Sequence, residues 1–309
     1  MQVAAPSLAP EIRLRFRFGD WCFHVHRFSG SAQSEHFTRI TPEMPITPDR
    51  LDPGADALFL PSRPVLGRLP TLHGTPNIIR YVPAQYSRYY IDIAGDFQSW
   101  LQGLSHQCQR ELRRKLRRFA ESSGATPLLR EYRSPREMTE FHRIARTVSE
   151  RSFQERLGTG LPATKEFLDE LIALADAEGA RGFILFHRDR PVAYELCQAD
   201  GDCLSGEYCG YDPEFRRLSP GVVLLYCVLE RLFAERDFRI FDFGRGEAAY
   251  KATFATGSTF CADIYYFRRT GANLFLVCAH RAVRAVWSAI AKMLEFFGIK
   301  RRLRNFVRT

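Results

Sequence analysis

The sequence has no C-x-x-C pair, no H-E-x-x-H spacing and no window of 18 charge-free apolar residues. Its eight cysteines, Cys22, Cys108, Cys197, Cys203, Cys209, Cys227, Cys261 and Cys278, fall mostly in apolar runs. They read as buried free thiols in a reducing compartment, not as a disulfide framework. Without a long apolar run, no transmembrane helix is expected. The opening MQVAAPSLAPEIRL lacks a basic n-region and an apolar h-region. No signal peptide is therefore expected, and cytoplasm is the default location. A Walker loop is missing, as is a G-x-G-x-x-G after a strand, which excludes the two commonest nucleotide fingerprints. His142 and His187 stand alone and no Ser-His-Asp order is evident. Neither a hydrolase triad nor a metal site is expected. There is no internal repeat and no low-complexity tract.

What the chain does have is a soluble core composition, 45% hydrophobic and 26% charged over 309 residues, with a net charge of +9. That length allows one large domain or two ordinary ones. The positive balance favours an anionic partner: nucleic acid, a membrane surface or a phosphorylated cofactor.

Residues 1–95 read as strand-rich. IRLRFRF and WCFHVHRF alternate with period two around a Gly19-Asp20 turn, and prolines are dense from Pro42 to Pro83. A helix follows over about Phe97–Ser122, with Asp96 and Gly124 as caps and an apolar stripe of Leu104, Cys108, Leu112, Leu116 and Phe119. Its other faces carry Arg110, Arg113, Arg114, Lys115, Arg117 and Arg118. These form either a solvated face or a surface for phosphate or membrane. SPRE at Ser134–Glu137 is a capping box with proline at the first helical position. A further helix runs from Thr164 to Glu178. GFILFH, PVAYELCQA and CLSGEYCGY then read as three strands joined by tight turns. The helix PGVVLLYCVLERLFAER, the strand FRIFDF, the short helix EAAYKATFA and the strand CADIYYFRR complete the series. The tail from Leu274 is an apolar helix that turns basic, so peripheral contact with anionic lipid is open to it. The expected divisions are 1–95, 96–270 and 271–309.

Two segments carry the chemistry. RRLSPG, Arg216–Gly221, lies between a strand and a helix. The first turn of a helix presents unpaired N–H groups and the positive end of the dipole, which suits phosphate. Gly221 permits close approach to the backbone, and Arg216 and Arg217 add charge. In FDFGRGEAAYK, Phe241–Lys251, a strand ends in Asp242, two glycines follow, and Tyr250 and Lys251 come next. A carboxylate on an apolar face should have a raised pKa. Asp242 is thus the first candidate general base, or else a structural residue bonded to the Gly244–Gly246 loop. Glu207, in the neighbouring strand, is the second candidate base, or else a solvent-facing strand residue. Tyr250 is a candidate proton donor or a core residue. Lys251 holds an anionic group or pairs with Asp242.

The element order resembles the Gcn5-related N-acetyltransferase (GNAT) fold, an α/β fold with a mixed, mostly antiparallel sheet flanked by helices. That family's Q/R-x-x-G-x-G/A loop is matched in part by Arg216, Ser219 and Gly221, with Ser219 in place of the first glycine. Together with the basic helix SHQCQRELRRKLRRFAESSG, the Ser219–Gly221 turn and FDFGRG…YK, residues 95–268 are similar to the CelD/BcsL-type acetyltransferases of polysaccharide biosynthesis. Those proteins are distant relatives of the FemABX peptidyltransferases. The resemblance implies acyl transfer from acetyl-CoA or another acyl-CoA to an amine or hydroxyl of a saccharide or sugar-linked acceptor. Arg216, Arg217, Leu218, Ser219, Gly221 and Val222 would bind the cofactor, and Asp242, Glu207, Tyr250 and Lys251 would surround the thioester. Residues 1–95 would be a reduced first lobe. The rival readings are an aminoacyl-tRNA-dependent transferase and a non-catalytic scaffold at the membrane. Geometrically, Asp242 and Gly221 are expected to open onto one cleft.

Overall fold

The computed structural model describes residues 12–18, 21–32, 51, 54–124, 126–246 and 248–296. The Gly19-Asp20 turn and the basic residues from Lys300 onward lie outside them. The chain begins with strands β1 (Arg13–Phe18), β2 (Trp21–Arg27), β3 (Gly30–Ala32), β4 (Ala57–Pro64), β5 (Leu72–Gly74) and β6 (Ile78–Asp92). Next come α1 (Phe97–Gly103), α2 (His106–Ser123), β7 (Leu128–Tyr132), α3 (Pro135–Ser149), α4 (Phe153–Arg156) and α5 (Lys165–Asp176). The series continues with β8 (Ala180–His187), β9 (Arg190–Asp200), β10 (Cys203–Tyr211) and α6 (Pro220–Glu235). It ends with β11 (Ile240–Asp242), α7 (Ala249–Phe254), β12 (Gly257–Arg268) and α8 (Gly271–Phe296). The mixed, mostly antiparallel sheet flanked by helices is the fold class expected from the sequence.

Local chemistry explains the boundaries. Ser134 and Glu137 form the reciprocal capping box at the start of α3. Asp96 accepts from the Ser99 N–H at 2.9 Å, and Gly124 ends α2 in the left-handed region. The single helix expected over Phe97–Ser122 is two. Leu104 is extended, and the Ser105 hydroxyl accepts from the Cys108 N–H, starting α2 afresh. The apolar stripe survives the break: Leu104, Leu112 and Phe119 are buried in one core.

The described residues fall into two compact units, one over residues 86–261 and one over 12–35, 51–85 and 262–296, with boundaries inside β6 and β12. These divisions differ from the expected ones at 95/96 and 270/271, because α8 and most of β12 share a unit with the N-terminal strands.

In the first unit the sheet order is β7-β8-β9-β10-β11-β6. All its neighbours are antiparallel except β10 and β11. One face packs α3 and α5 through Met138, Phe141, Leu171, Ile184 and Leu196. The other packs α1, α2 and α6 through Trp100, Phe119, Leu204, Val228 and Phe241. Arg181, itself buried, ties β7, β8 and the end of α6 together by donating to Glu131 at 3.1 Å, Glu235 at 2.7 Å and Asp237 at 2.5 Å.

In the second unit β1 and β2 form an antiparallel hairpin, and β12 lies between β4 and β6. Leu14, Phe16, Tyr81, Phe267 and Val277 make the core. The inner face of α8 closes it. His280 Nε2 lies 3.1 Å from the Arg15 carbonyl, which only accepts, so Nε2 carries the hydrogen. Nδ1 then accepts from the Tyr81 hydroxyl at 2.7 Å. Burial holds the His280 pKa below its ordinary 6.5, with Arg284 adding in the same direction. A protonated ring would lose the Tyr81 bond. Since the folded pKa is the lower one, the stabilisation is complete above the unfolded value near 6.5 and is lost as pH falls through it. Thermal unfolding followed by circular dichroism should show this loss setting in as pH drops below about 6.5, the unfolded value, and ending at the lower folded pKa. His280→Asn should flatten that dependence, and an unchanged slope in the variant would count against the assignment.

Candidate active site

The start of α6 is built for close approach. A 3-10 turn, Pro213–Leu218, leads into Ser219, which sits in the left-handed region at φ 54°. Ser219 occupies the N-cap position, yet its side chain makes no cap bond to the first turn. Val222 and Val223 donate back to the Ser219 carbonyl at 3.0 and 3.2 Å. Pro220 has no N–H to lose. A side chain at Gly221 would meet only the Tyr211 ring at 3.7 Å, so the backbone there is open to a bulky group. Arg216 and Arg217 are exposed beside it. The Arg217 carbonyl accepts from Arg118 of α2 at 3.1 Å, which brings the arginine face of α2 next to this turn. Among the described residues Arg110, Arg113 and Arg114 make no ion pair.

The second element is a divergence of strands. β10 and β11 pair in parallel only where Cys203, Leu204 and Ser205 meet Ile240, Phe241 and Asp242. Beyond Ser205, β10 runs on to Tyr211 with β9 alone. A bulge at Glu207 breaks the register, for Gly206 pairs with Cys197 and Tyr208 with Leu196. The opening is lined by glycine for a reason. Gly244 has φ +71°, and a Cβ there would sit 2.2 Å from the Gly206 carbonyl oxygen. A Cβ on Gly206 would stand 2.9 Å from the Glu195 carboxylate and 3.6 Å from the Asp242 carbonyl oxygen.

Asp242 is fully buried. Arg88 of β6 donates to its Oδ2 through Nε at 2.9 Å and also through Nη2, and the Gly244 N–H donates to Oδ1 at 3.1 Å. Burial works against the charged Arg88, but the Asp242 carboxylate outweighs it and raises the Arg88 pKa. Asp242 shares a sheet face with its register partners Ser205 and Tyr90. Phe241, Leu204 and Ile91 take the other face, which α6 covers. Asp242 and Gly221 therefore do not open onto one cleft. The sequence reading placed Lys251 against Asp242 or against a bound anion. The structure instead has it buried, donating to the carbonyls of Gly244 at 3.2 Å and Arg245 at 2.8 Å.

A different set of groups faces the divergence. Glu195 of β9 pairs in register with Cys209 of β10, so the two share a face. Burial raises the Glu195 pKa to about 7, against the pull of the nearby Lys251 ammonium. Cys209 reaches the surface, yet the protein around its thiol pushes the pKa up to about 12 by desolvation, with Glu195 adding to the shift. Glu207 is open to water at its surface yet walled by protein, and its pKa is raised by that desolvation against the pull of Arg245 and Arg88. Tyr250, 43% exposed, is also raised by burial and stays protonated at neutral pH. Burial lowers the Lys251 pKa, with Cys209, Asp242 and Glu195 opposing it. Carboxyl, phenol and amine groups with displaced pKa values are thus collected where two strands part, a combination that suits proton transfer. Glu195, Cys209 and Arg88 were not singled out in the sequence. The lone carboxylate within PVAYELCQA was a readable signal for the first; a lone arginine in YSRYYID was the signal for the third.

Residues 106–252 match the family described as Acetyltransferase (GNAT) domain. A GNAT domain indicates an acyltransferase. It lies within the first compact unit and contains the α6 start, both candidate carboxylates and Lys251. Among solved structures, the chain is similar to the C-terminal domain (DUF2156) of a putative lysylphosphatidylglycerol synthetase from Agrobacterium fabrum. That match has 13% identity over 74% of this chain and 72% of the other, with a TM-score of 0.45. It is also similar to FemX, at 10% identity over 62% of this chain and 63% of FemX, with a TM-score of 0.44. A tandem GNAT protein from the clavulanic acid biosynthesis pathway matches at 15% identity over 69% of this chain and 64% of that one, with a TM-score of 0.39. The chain thus spans less than two thirds of the length of the last two. No curated protein matches the sequence.

The buried pair makes a sharp prediction. Arg88→Met leaves the buried Asp242 carboxylate without its bonded guanidinium and should cost about 3–5 kcal/mol in chemical denaturation. Adding Asp242→Leu should restore most of the loss. A double variant as unstable as the single one would show that the pair does not act as a unit.

Proposed function

We propose that this protein transfers an acyl group from an acyl-CoA, acetyl-CoA in the simplest case, to an amine or hydroxyl acceptor. The observation that supports it most is the parting of β10 from β11 beside a helix start that lacks a side-chain cap. The backbone at Ser219, Gly221 and Val222, with Leu218 on the turn before it and Arg216 and Arg217 alongside, fits a pyrophosphate. Acyl-CoA supplies the activated thioester carbonyl. The chain supplies the proton handling. Glu195, with a pKa near neutrality, takes the proton from the attacking amine or hydroxyl. Tyr250 gives its hydroxyl proton to the departing sulfur as the new bond to the carbonyl carbon replaces the C–S bond. Glu207, accessible on the bulge, positions the acceptor through its carboxylate. Asp242 and Lys251 fix the Gly244–Gly246 loop: Asp242 through the Gly244 N–H, Lys251 through two carbonyls. The likeness to the CelD/BcsL-type acetyltransferases supports a saccharide or sugar-linked acceptor in envelope or exopolysaccharide synthesis. Peripheral contact of a cytoplasmic protein with an anionic membrane belongs to the same reading.

A second reading has one observation in its favour. The exposed arginines of α2 adjoin the phosphate-binding turn through Arg118, a longer positive track than a pyrophosphate needs. That would suit an aminoacyl-tRNA donor, whose binding would fall steeply with salt.

Calorimetry separates the two. Wild-type protein should bind acetyl-CoA, and Gly221→Trp should abolish the heat by filling the open backbone. No binding at about millimolar ligand, a ceiling of weak affinity, would reject the acyl-CoA reading. For the chemical step, kcat/KM should rise with pH to a plateau with an apparent pKa near 7. Glu195→Gln should remove that limb and lower the rate by roughly 10²–10⁴-fold. If Glu207→Gln erased the limb instead, the base would be Glu207.

A further inference from the structure

α8 is amphipathic twice over. Its inner side carries Asn273, Val277 and His280, all buried in the core of the second unit. At 100° per residue, Phe275, Ala282, Val286 and Met293 fall on one line along the opposite side. Phe275 is 75% exposed, Val286 51% and Met293 55%. Cys278, Ala282 and Ala289, exposed as well, fill the spaces between them. The stripe from Phe275 to Met293 is about 27 Å long at 1.5 Å per residue. An apolar strip of this length left open on a soluble surface calls for an occupant.

The charges around it decide which one. No acidic residue occurs from 271 to 294; Arg281 is exposed on the flank of the stripe, and Arg284 is exposed on the side that carries Val277 and His280. Residues 271–309 hold eight lysines and arginines against the single Glu295, most of the chain's net +9. A second copy of α8 laid face to face would bring two such positive segments together, which is repulsive. An anionic bilayer surface meets both demands at once, taking the apolar strip below its headgroups and the basic residues among them. No helix among the described residues is long and apolar enough to cross a membrane, so the geometry is that of a helix lying in the interface.

We propose that the outer face of α8, with Phe275, Val286 and Met293 as anchors, docks this protein on an anionic lipid surface. The inference rests on the membrane contact included in the proposed function and assigns it to named residues of α8; these lie outside the transferase site, so loss of lipid binding and loss of acyl transfer can be told apart. The test is cosedimentation of the full chain with vesicles of phosphatidylcholine containing about one-third phosphatidylglycerol, a surface charged like an anionic leaflet. The wild type should partition onto these vesicles and only weakly onto pure phosphatidylcholine. The triple variant Phe275→Ser, Val286→Ser, Met293→Ser should lose on the order of tenfold or more of that partitioning. Because the three side chains point away from the core, its thermal unfolding should match the wild type, which keeps the comparison fair. Equal partitioning of variant and wild type, or equal binding to charged and neutral vesicles, would overturn the proposal. So would a wild-type dimer in sedimentation velocity that the triple variant abolishes, since the stripe would then be a protein interface.

Discussion

The ion pair between Arg88 and Asp242 is the constraint on which the arrangement of the site depends. It joins β6 to β11, strands far apart in sequence, at the point where β11 ends. A carboxylate with no access to water needs a fixed partner, and the guanidinium is held by the same strand whose aromatic neighbours line the sheet. Through its other oxygen, Asp242 fixes the Gly244 N–H, and Gly244 in turn packs against the Gly206 carbonyl. The edge of the opening between β10 and β11 is therefore set by a charge pair and two glycines, with no flexible side chain intervening. Lys251 completes the loop by binding the carbonyls that Asp242 cannot.

That arrangement divides the polar groups by role. Asp242 is placed where it can only bond inward. Glu195 and Glu207, on β9 and on the part of β10 that has left β11, keep contact with water while protein surrounds them. Desolvation without full exclusion of solvent is the condition under which a carboxyl group stays titratable near neutrality. The same sheet thus holds one carboxylate paired with an arginine and two carboxyl groups whose pKa values desolvation raises.

Much of the fold could be read in advance because it rests on local rules. The SPRE capping box, the Asp200-Gly201 hairpin and Pro220 at the head of α6 each act over a few residues, and each element stands where its signal lies. The break at Leu104 was hidden because the apolar stripe runs through it unbroken, and Ser105 is an inconspicuous cap. The site was legible in part. FDFGRG marked the end of a strand beside a glycine turn, and RRLSPG marked an open helix start. The pairing of Asp242 was not legible, since its partner lies 154 residues away and nothing local announces it. Nor could Glu195 be placed opposite Cys209 without the register of β9 on β10.

The bulge at Glu207 also settles a question of parity. Before it, the even-numbered residues of β10, Leu204 and Gly206, face α6; after it, the odd-numbered ones, Cys209 and Tyr211, do so. One extra residue reverses which side chains belong to which side of the sheet. An uninterrupted strand would turn Tyr211 away from Gly221 and Cys209 away from Glu195, leaving the helix start without its floor. The residue that performs this inversion is itself a carboxylate at the opening. A deletion there would therefore erase a charged group and also exchange the two faces of everything downstream on the strand, a loss that no single substitution could reproduce.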